Sequence, residues 1–366
     1  MKQNKAYKFR IYPNEKQKII FAKTFGCTRF IYNKMLSDKI DYYQQTKQRL
    51  NNTPAQYKIE FEWLKEVDSL ALANAQMNLQ KAFTNFFTNP KSGFPKFKSK
   101  HKNRKSYTTN NQRNTITLKN GYLKLPKLVD LVRVKQHRQI SKDHKIKSVT
   151  ISQTPSGKYY ASILCEYESQ IQPIESKTFL GLDFSMKELY VASNNTSAEY
   201  PRYFRKSQER LAREQKKLSK CVIGSQKRNK QRLKVAKLHE KVANQRKDFL
   251  HRLSRQIANT YDCVCIEDLD MKAMSQALNF GKSVADNGWG MFTTFLKYKL
   301  EDLGKQLIKI DRWFPSSKTC SSCGNVKEDL SLNDRIYHCN YCGITLNRDY
   351  NVSVNIKNQG MRLAIS

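Results

Sequence analysis

Cys320, Cys323, Cys339 and Cys342 stand as two Cys-x-x-Cys pairs, and each pair runs directly into glycine, as CSSCG and CNYCG. No other feature restricts the fold as much. The spacing is that of a ribbon around one tetrahedral zinc ion. Four thiolates close the coordination shell, so such an ion is structural and leaves no open position for chemistry. Glycine after each pair lets backbone amides turn toward the sulfurs. His338, beside Cys339, reads as a bystander. Seven residues after Cys342 comes Asp349, at the start of a short stretch with helical spacing. The ribbon therefore opens onto a carboxylate held at a fixed distance from the metal.

Two other carboxylates occupy equally unusual places. Asp183 lies within the apolar strand TFLGLDF, and Glu267 ends the apolar run VCIE. A charge inside such a strand is costly unless something compensates it, and a divalent cation is sufficient. Mg²⁺ or Mn²⁺, which prefer oxygen ligands, would keep three converging carboxylates ionised. Two such ions about 4 Å apart can activate water and stabilise the leaving oxygen of a phosphodiester. Asp268 and Asp270 compete for the role of Glu267, but Asp268 should point to the opposite face of the strand.

The charge balance names the partner class. Lys and Arg number 67 against 31 Asp and Glu, a formal net charge of +36. Such an excess repels itself, and an acidic polymer relieves it. Nucleic acid fits better than a membrane surface, since no run of 18 apolar residues is present. The opening MKQNKAYKFRIYP has no apolar core of a signal peptide. The remaining cysteines, Cys27, Cys165, Cys221, Cys263 and Cys265, are scattered and read as buried reduced thiols of a cytoplasmic protein. From 69 to 129 there is no acidic residue but 12 Lys or Arg, densest in FPKFKSKHKNRKSYTTNNQ, 94–112, which reads as a basic loop. Residues 205–255 hold 18 Lys or Arg and 4 acids.

Periodicity places the elements. Residues 5–12 alternate as a strand that Pro13 ends, and 14–87 read as helices. Residues 114–166 read as a β-meander of five strands. The first strand is expected to join it, making the helices an insertion in a small barrel. After about 175 the order is strand, strand, basic helical hairpin broken near Gly224, strand at 261–269, helix at 289–303, strand at 306–310, cysteine knuckles, helix.

GLDFSMKELYVAS, VCIEDLDMKAMS, FPSSKTCSSCG and CNYCGITLNRDYNVSVNI resemble the motifs of TnpB, the insertion-sequence-encoded relatives of type V CRISPR nucleases. KLHEKVANQRKDFLHRLS and the opening KAYKFRIYPNEKQK with GCTRFIYNKML match as well, so the resemblance spans nearly the whole chain. It implies an α+β multidomain protein. A wedge β-barrel (1–13 and 91–175) would carry an inserted helical recognition domain (14–90). An RNase H-like RuvC domain (176–315 and 344–366) would carry an inserted zinc ribbon (316–343). The implied activity is RNA-guided DNA endonuclease, with two Mg²⁺ or Mn²⁺ ions on Asp183, Glu267 and Asp349 and one structural Zn²⁺.

The implied partners are a guide RNA from the element's end and double-stranded target DNA. The implied setting is the prokaryotic cytoplasm at the nucleoid, as a monomer. Two stretches depart from the family pattern. Asn347 stands where Asp is usual, and Asn351-Val352-Ser353 replaces Asn-Ala-Ala. Lys96, Lys98, Lys100, Arg104 and Lys105 are candidate phosphate contacts. Ser69, Gln76, Gln80, Asn110 and Asn111 are candidates for reading the motif beside the target, since amides suit adenine edges. The rival readings are a guide-directed repressor without cleavage, and a transposon nuclease acting without RNA. The intact set of three carboxylates disfavours the first, and the basic N-terminal half the second.

Overall fold

Alternation along the N-terminal half does produce antiparallel strands. The computed structural model describes residues 2–277, 281, 286–331 and 334–365. It divides into two units, Met1–Gln170 and Ile171–Ser366. In the first unit, β1 (Lys2–Tyr12) lies at the centre of a seven-stranded sheet. Its partners are β2 (Lys105–Asn110), β3 (Thr117–Lys119), β4 (Tyr122–Lys124), β5 (Val132–Lys135), β6 (Lys145–Gln153) and β7 (Tyr159–Glu168), in the order β2-β6-β7-β1-β5-β4-β3. Tyr7 pairs with Ile163 and Phe9 with Ala161, so the apolar faces of β1 and β7 coincide.

Two expectations change here. The basic loop ends early: 105–110 is the edge strand β2, because Tyr107 and Thr109 alternate inward. The sheet also ends in two edges, β2 and β3, rather than closing into a barrel. A helix fills its inner face. α1 (Glu15–Thr46) starts at an Asn14–Gln17 capping box and presents Phe21 and Phe25 to Tyr107 and Tyr159. At about 1.5 Å per residue α1 is about 48 Å long and serves two cores. Beyond Phe25, its Ile31, Tyr32, Met35 and Leu36 pack with Leu64, Leu72 and Leu79. Leu64 comes from the 3₁₀ turn Glu62–Glu66, Leu72 and Leu79 from α3 (Ser69–Thr88), and Tyr57 of α2 (Tyr57–Glu60) joins the same core.

In the second unit, β8 (Phe179–Phe184) pairs antiparallel with β9 (Tyr190–Ala192) and parallel with β10 (Cys263–Glu267). β10 pairs parallel with β11 (Gln306–Ile310). The crossovers are the hairpin α4 (Tyr203–Ser219) and α5 (Gln226–Thr260), then α6 (Met271–Ala277) and α7 (Trp289–Glu301). Leu180, Leu182, Val264 and Ile266 face Leu250, Ile257, Phe292 and Leu296 of α5 and α7. The other face is covered by α8 (Arg348–Ile365), through Val352 and Ile356 against Cys263, Cys265 and Ile310. Before α8 comes the cysteine segment with its small ribbon, β12 (Ile336–His338) and β13 (Thr345–Asn347). No described helix is long and apolar enough to cross a membrane.

Candidate active site

β8 and β10 end side by side, with Leu182 paired to Ile266. Along β8 the even positions enter the α5–α7 core, so Gly181 and Asp183 belong to the α8 face. Along β10, Cys263 and Cys265 face α8, and Glu267 continues their row. Two glycines let α8 approach that face. A Cβ on Gly181 would lie 2.1 Å from the Ser353 carbonyl oxygen, and one on Gly360 would lie 2.2 Å from Cys265 Sγ. With Ser353 over Gly181, Asp349 sits one turn earlier, past the strand ends. The chain passes from β13 into α8 without a linker, so the ribbon sets where that turn begins.

Asp183 feels the other two carboxylates. Desolvation, then the charges of Glu267 and Asp349, raise the Asp183 carboxyl well above the usual carboxylate range, while the Phe184 N–H and Arg348 oppose the rise. Burial also raises Glu267, against a hydrogen bond from the Ser316 hydroxyl. Asp268 is turned elsewhere, to Lys309 at 2.7 Å and Arg312 at 3.6 Å. Asp270 caps α6, accepting from the Lys272 and Ala273 amides at 3.0 Å.

The four cysteines come together as the spacing requires, with all donor atoms within 4.8 Å of one another. Cys320 and Cys342 sulfurs are 3.7 Å apart, and Cys323 and Cys339 sulfurs 3.6 Å. A tetrahedron with Zn–S bonds of about 2.3 Å has edges of about 3.8 Å. The two knuckles fold alike. Gly324 N–H donates to the Cys320 carbonyl at 3.0 Å and Gly343 N–H to the Cys339 carbonyl at 2.9 Å, both glycines having positive φ. Amide groups of Cys342 and Tyr341 hold the Cys339 thiol below its ordinary range. His338 lies outside the cluster, with Nδ1 2.9 Å from Thr345 Oγ1. Among the described residues these four cysteines are the one group of three or more such ligands drawn this close together.

Two asparagines join the two sites, Asn351, which the motif comparison names without a role, and Asn355, which it passes over. Asn351 accepts from the Ser321 amide at 2.9 Å and donates to the Thr319 carbonyl at 2.8 Å. Asn355 donates to the Ser316 carbonyl at 2.8 Å and to that of Thr319 at 2.6 Å. Both asparagines are buried in α8. They clamp the turn entering the first knuckle, and that segment carries Ser316 to Glu267. Asn347 accepts from the Tyr350 amide at 3.1 Å and so caps α8, a task Asn performs as well as Asp. Two amides on one helix face, four residues apart, were the available signal.

The nucleic-acid candidates divide. Lys100, Arg104 and Lys105 are exposed and line a cleft of about 230 Å³ together with Arg29, Asn74 and Asn78 of α1 and α3. Lys96 is exposed outside that cleft. Lys98 lies 3.7 Å over the Tyr32 ring, its backbone held by the Asn33 side chain, and burial lowers its pKa. Asn111 is spent on the fold, donating to the Ile146 carbonyl and accepting from the Ile116 amide, both at 3.0 Å. Gln76 donates to the Asn52 carbonyl at 3.1 Å, and Ser69 accepts from Lys58 at 2.7 Å. Asn110 lies 3.5 Å from Asn74, and Gln80 is exposed. The helix face that meets the cleft is thus 71, 74, 75 and 78, not 69, 76 and 80.

Known proteins resemble this chain in sequence and in fold. A family model described as "Probable transposase" matches residues 162–278. One described as "Cas12f1-like, TNB domain" matches 289–356. A third, "Helix-turn-helix domain", matches 1–48, which here form a strand and one unbroken helix. A Streptomyces pristinaespiralis protein, named "Putative RNA-guided DNA endonuclease", is 34% identical over 98% of this chain and 89% of its own length. The Escherichia coli K12 protein of that name, InsQ, is 28% identical over 97% and 92%. A Cas12f1 chain solved with guide RNA and target DNA superposes with a TM-score of 0.63 over 98% of this chain and 99% of that one, at 15% identity, and so shares the fold. On this evidence the chain belongs to the TnpB family of RNA-guided DNA endonucleases.

Proposed function

We propose that this chain cuts double-stranded DNA beside a short motif, at a place chosen by a bound RNA, with Asp183, Glu267 and Asp349 holding the metal centre. The reading rests above all on the convergence of those carboxylates from β8, β10 and α8 at one end of the sheet. Their donor set is all oxygen, and their mutual repulsion calls for a cation. Two Mg²⁺ or Mn²⁺ ions held there would supply a nucleophile at neutral pH and charge stabilisation at the leaving oxygen. The residues of the chain do the positioning. Ser316 donates to Glu267 and fixes its rotamer, Asn347 starts the helix that presents Asp349, and Arg348 moderates the charge around Asp183.

The four thiolates fit one structural Zn²⁺ in a ribbon at 316–343, set between the final strand and final helix of a RuvC-like domain at 176–315 and 344–366. Residues 1–13 and 91–175 form the wedge domain and 14–90 the recognition domain that grip RNA and DNA. Base pairing supplies sequence, and the protein reads backbone shape. Such substrates place its work in the prokaryotic cytoplasm, as a monomer on its RNA. The test is plasmid cleavage with Mg²⁺ by protein purified with its RNA. Alanine at Asp183, Glu267 or Asp349 should abolish cutting. Full cutting after complete removal of RNA would overturn guidance. Binding without cutting by the intact chain would favour the repressor.

A further inference from the structure

Residues 311–315 leave the sheet beside one catalytic candidate and return to it. Ile310 pairs with Glu267, and Ser316 donates its hydroxyl to the same carboxylate. Three extended residues span at most about 11 Å, so Trp313 lies within that reach of both anchors. Its backbone is fixed. The Trp313 amide donates to Asp311 Oδ1 at 2.8 Å, the Phe314 amide to the Asp311 carbonyl at 3.1 Å, and the Ser316 amide to the Phe314 carbonyl at 2.7 Å. Phe314 packs inward against the α8 face of the sheet, which leaves Trp313 outward. Trp313 is 84% exposed, against 3% for Trp289 and 41% for Trp63.

A scattered exposed apolar side chain is ordinary. This one is the largest type, on a rigid turn, at the rim of a metal-binding carboxylate group, in a chain of net charge +36. Lys309 and Arg312 beside it turn toward Asp268, whereas Trp313 projects its ring into solvent. We infer that Trp313 is a stacking platform for an unpaired base of the DNA strand lying in the cutting site. Where guide RNA pairs with one DNA strand, the other is parted from its complement and exposes the faces of its bases. Stacking tolerates any base, which suits an enzyme whose sequence choice is made by RNA.

The inference rests on the nuclease reading, and the test separates the two. The RNA-bound protein, in EDTA, is titrated with oligo(dT) while tryptophan emission is followed. Wild type should be quenched. W313A should lose most of the quench and bind oligo(dT) about ten-fold more weakly, with duplex binding unchanged. W313F, which keeps a ring, should retain most of the affinity. Unchanged oligo(dT) affinity in W313A would overturn the platform, as would equal losses in W313A and W313F. So would a loss of self-association in W313A with oligo(dT) affinity intact, since the ring would then face a protein. Wild type that is quenched but never cuts DNA would remove the nuclease reading and leave the platform standing.

Discussion

Ionised Asp183 is partly withheld from water and stands in the field of Glu267 and Asp349. Its folded pKa is raised above the unfolded value, so the folded state holds that proton more tightly. In the metal-free protein the resulting penalty is absent below about pH 4 and grows as pH rises and the carboxyl ionises. Asp183→Asn mimics the protonated form. It should raise the Tm in EDTA by about 2–4 °C while abolishing cleavage, and calorimetry with a plasmid assay checks both. On the proposed reading Ser316 positions Glu267, to which it donates a hydrogen bond. Ser316→Ala should lower Mn²⁺ affinity or cleavage by about 10- to 100-fold, whereas Ser316→Thr, which keeps the hydroxyl, should restore most of it. A Mn²⁺ titration distinguishes lost orientation from lost folding. Neither Ser316 nor the buried Asn355 was legible in the sequence, because a neutral residue near a metal motif looks like any loop residue until its partner is known.

Among elements, α8 carries the most function. Its hold on the sheet depends on backbone approach, since Gly360 leaves no room for a Cβ above Cys265. Gly360→Ala should destabilise the protein by about 1–3 kcal/mol and reduce cleavage by lifting α8. Gly290→Ala in α7 meets nothing within 4 Å and should be neutral or slightly stabilising. Denaturant unfolding of the two variants makes the comparison. Most elements were readable from period alone: β1 and β7 from strict alternation, α3 and α5 from their stripes. β2 was not. Its Lys105–Asn110 run shows only Tyr107 as an apolar inward residue, so basic composition outweighed a two-residue period.

For the molecule as a whole, net charge decides the partner class and packing decides which charges are available to it. Triple reversal of Lys100, Arg104 and Lys105 to Glu should weaken nucleic-acid binding. It should also reduce the log–log salt slope by about two to three, as measured by binding at several ionic strengths. Lys98→Glu should act differently. Its ammonium is committed to Tyr32, so the substitution should lower the Tm before it changes the salt slope. Composition counts these lysines as equal, and all three line one cleft, but only Lys98 is seated over an aromatic ring.

The sequence by itself determined the four-thiolate cluster, the strand and helix order around Asp183, Glu267 and Asp349, and the polyanionic partner. Each of these rests on local spacing or summed charge, which need no tertiary information. Only the tertiary structure decided that the inner face of the first sheet is filled by α1 and that Asn111 and Lys98 are held by the fold. It alone joined the cysteine knuckle to Glu267 through Asn351, Asn355 and Ser316. Those outcomes depend on which distant backbone carbonyls and rings come within about 3–4 Å, and the pattern of one strand or helix carries no record of that.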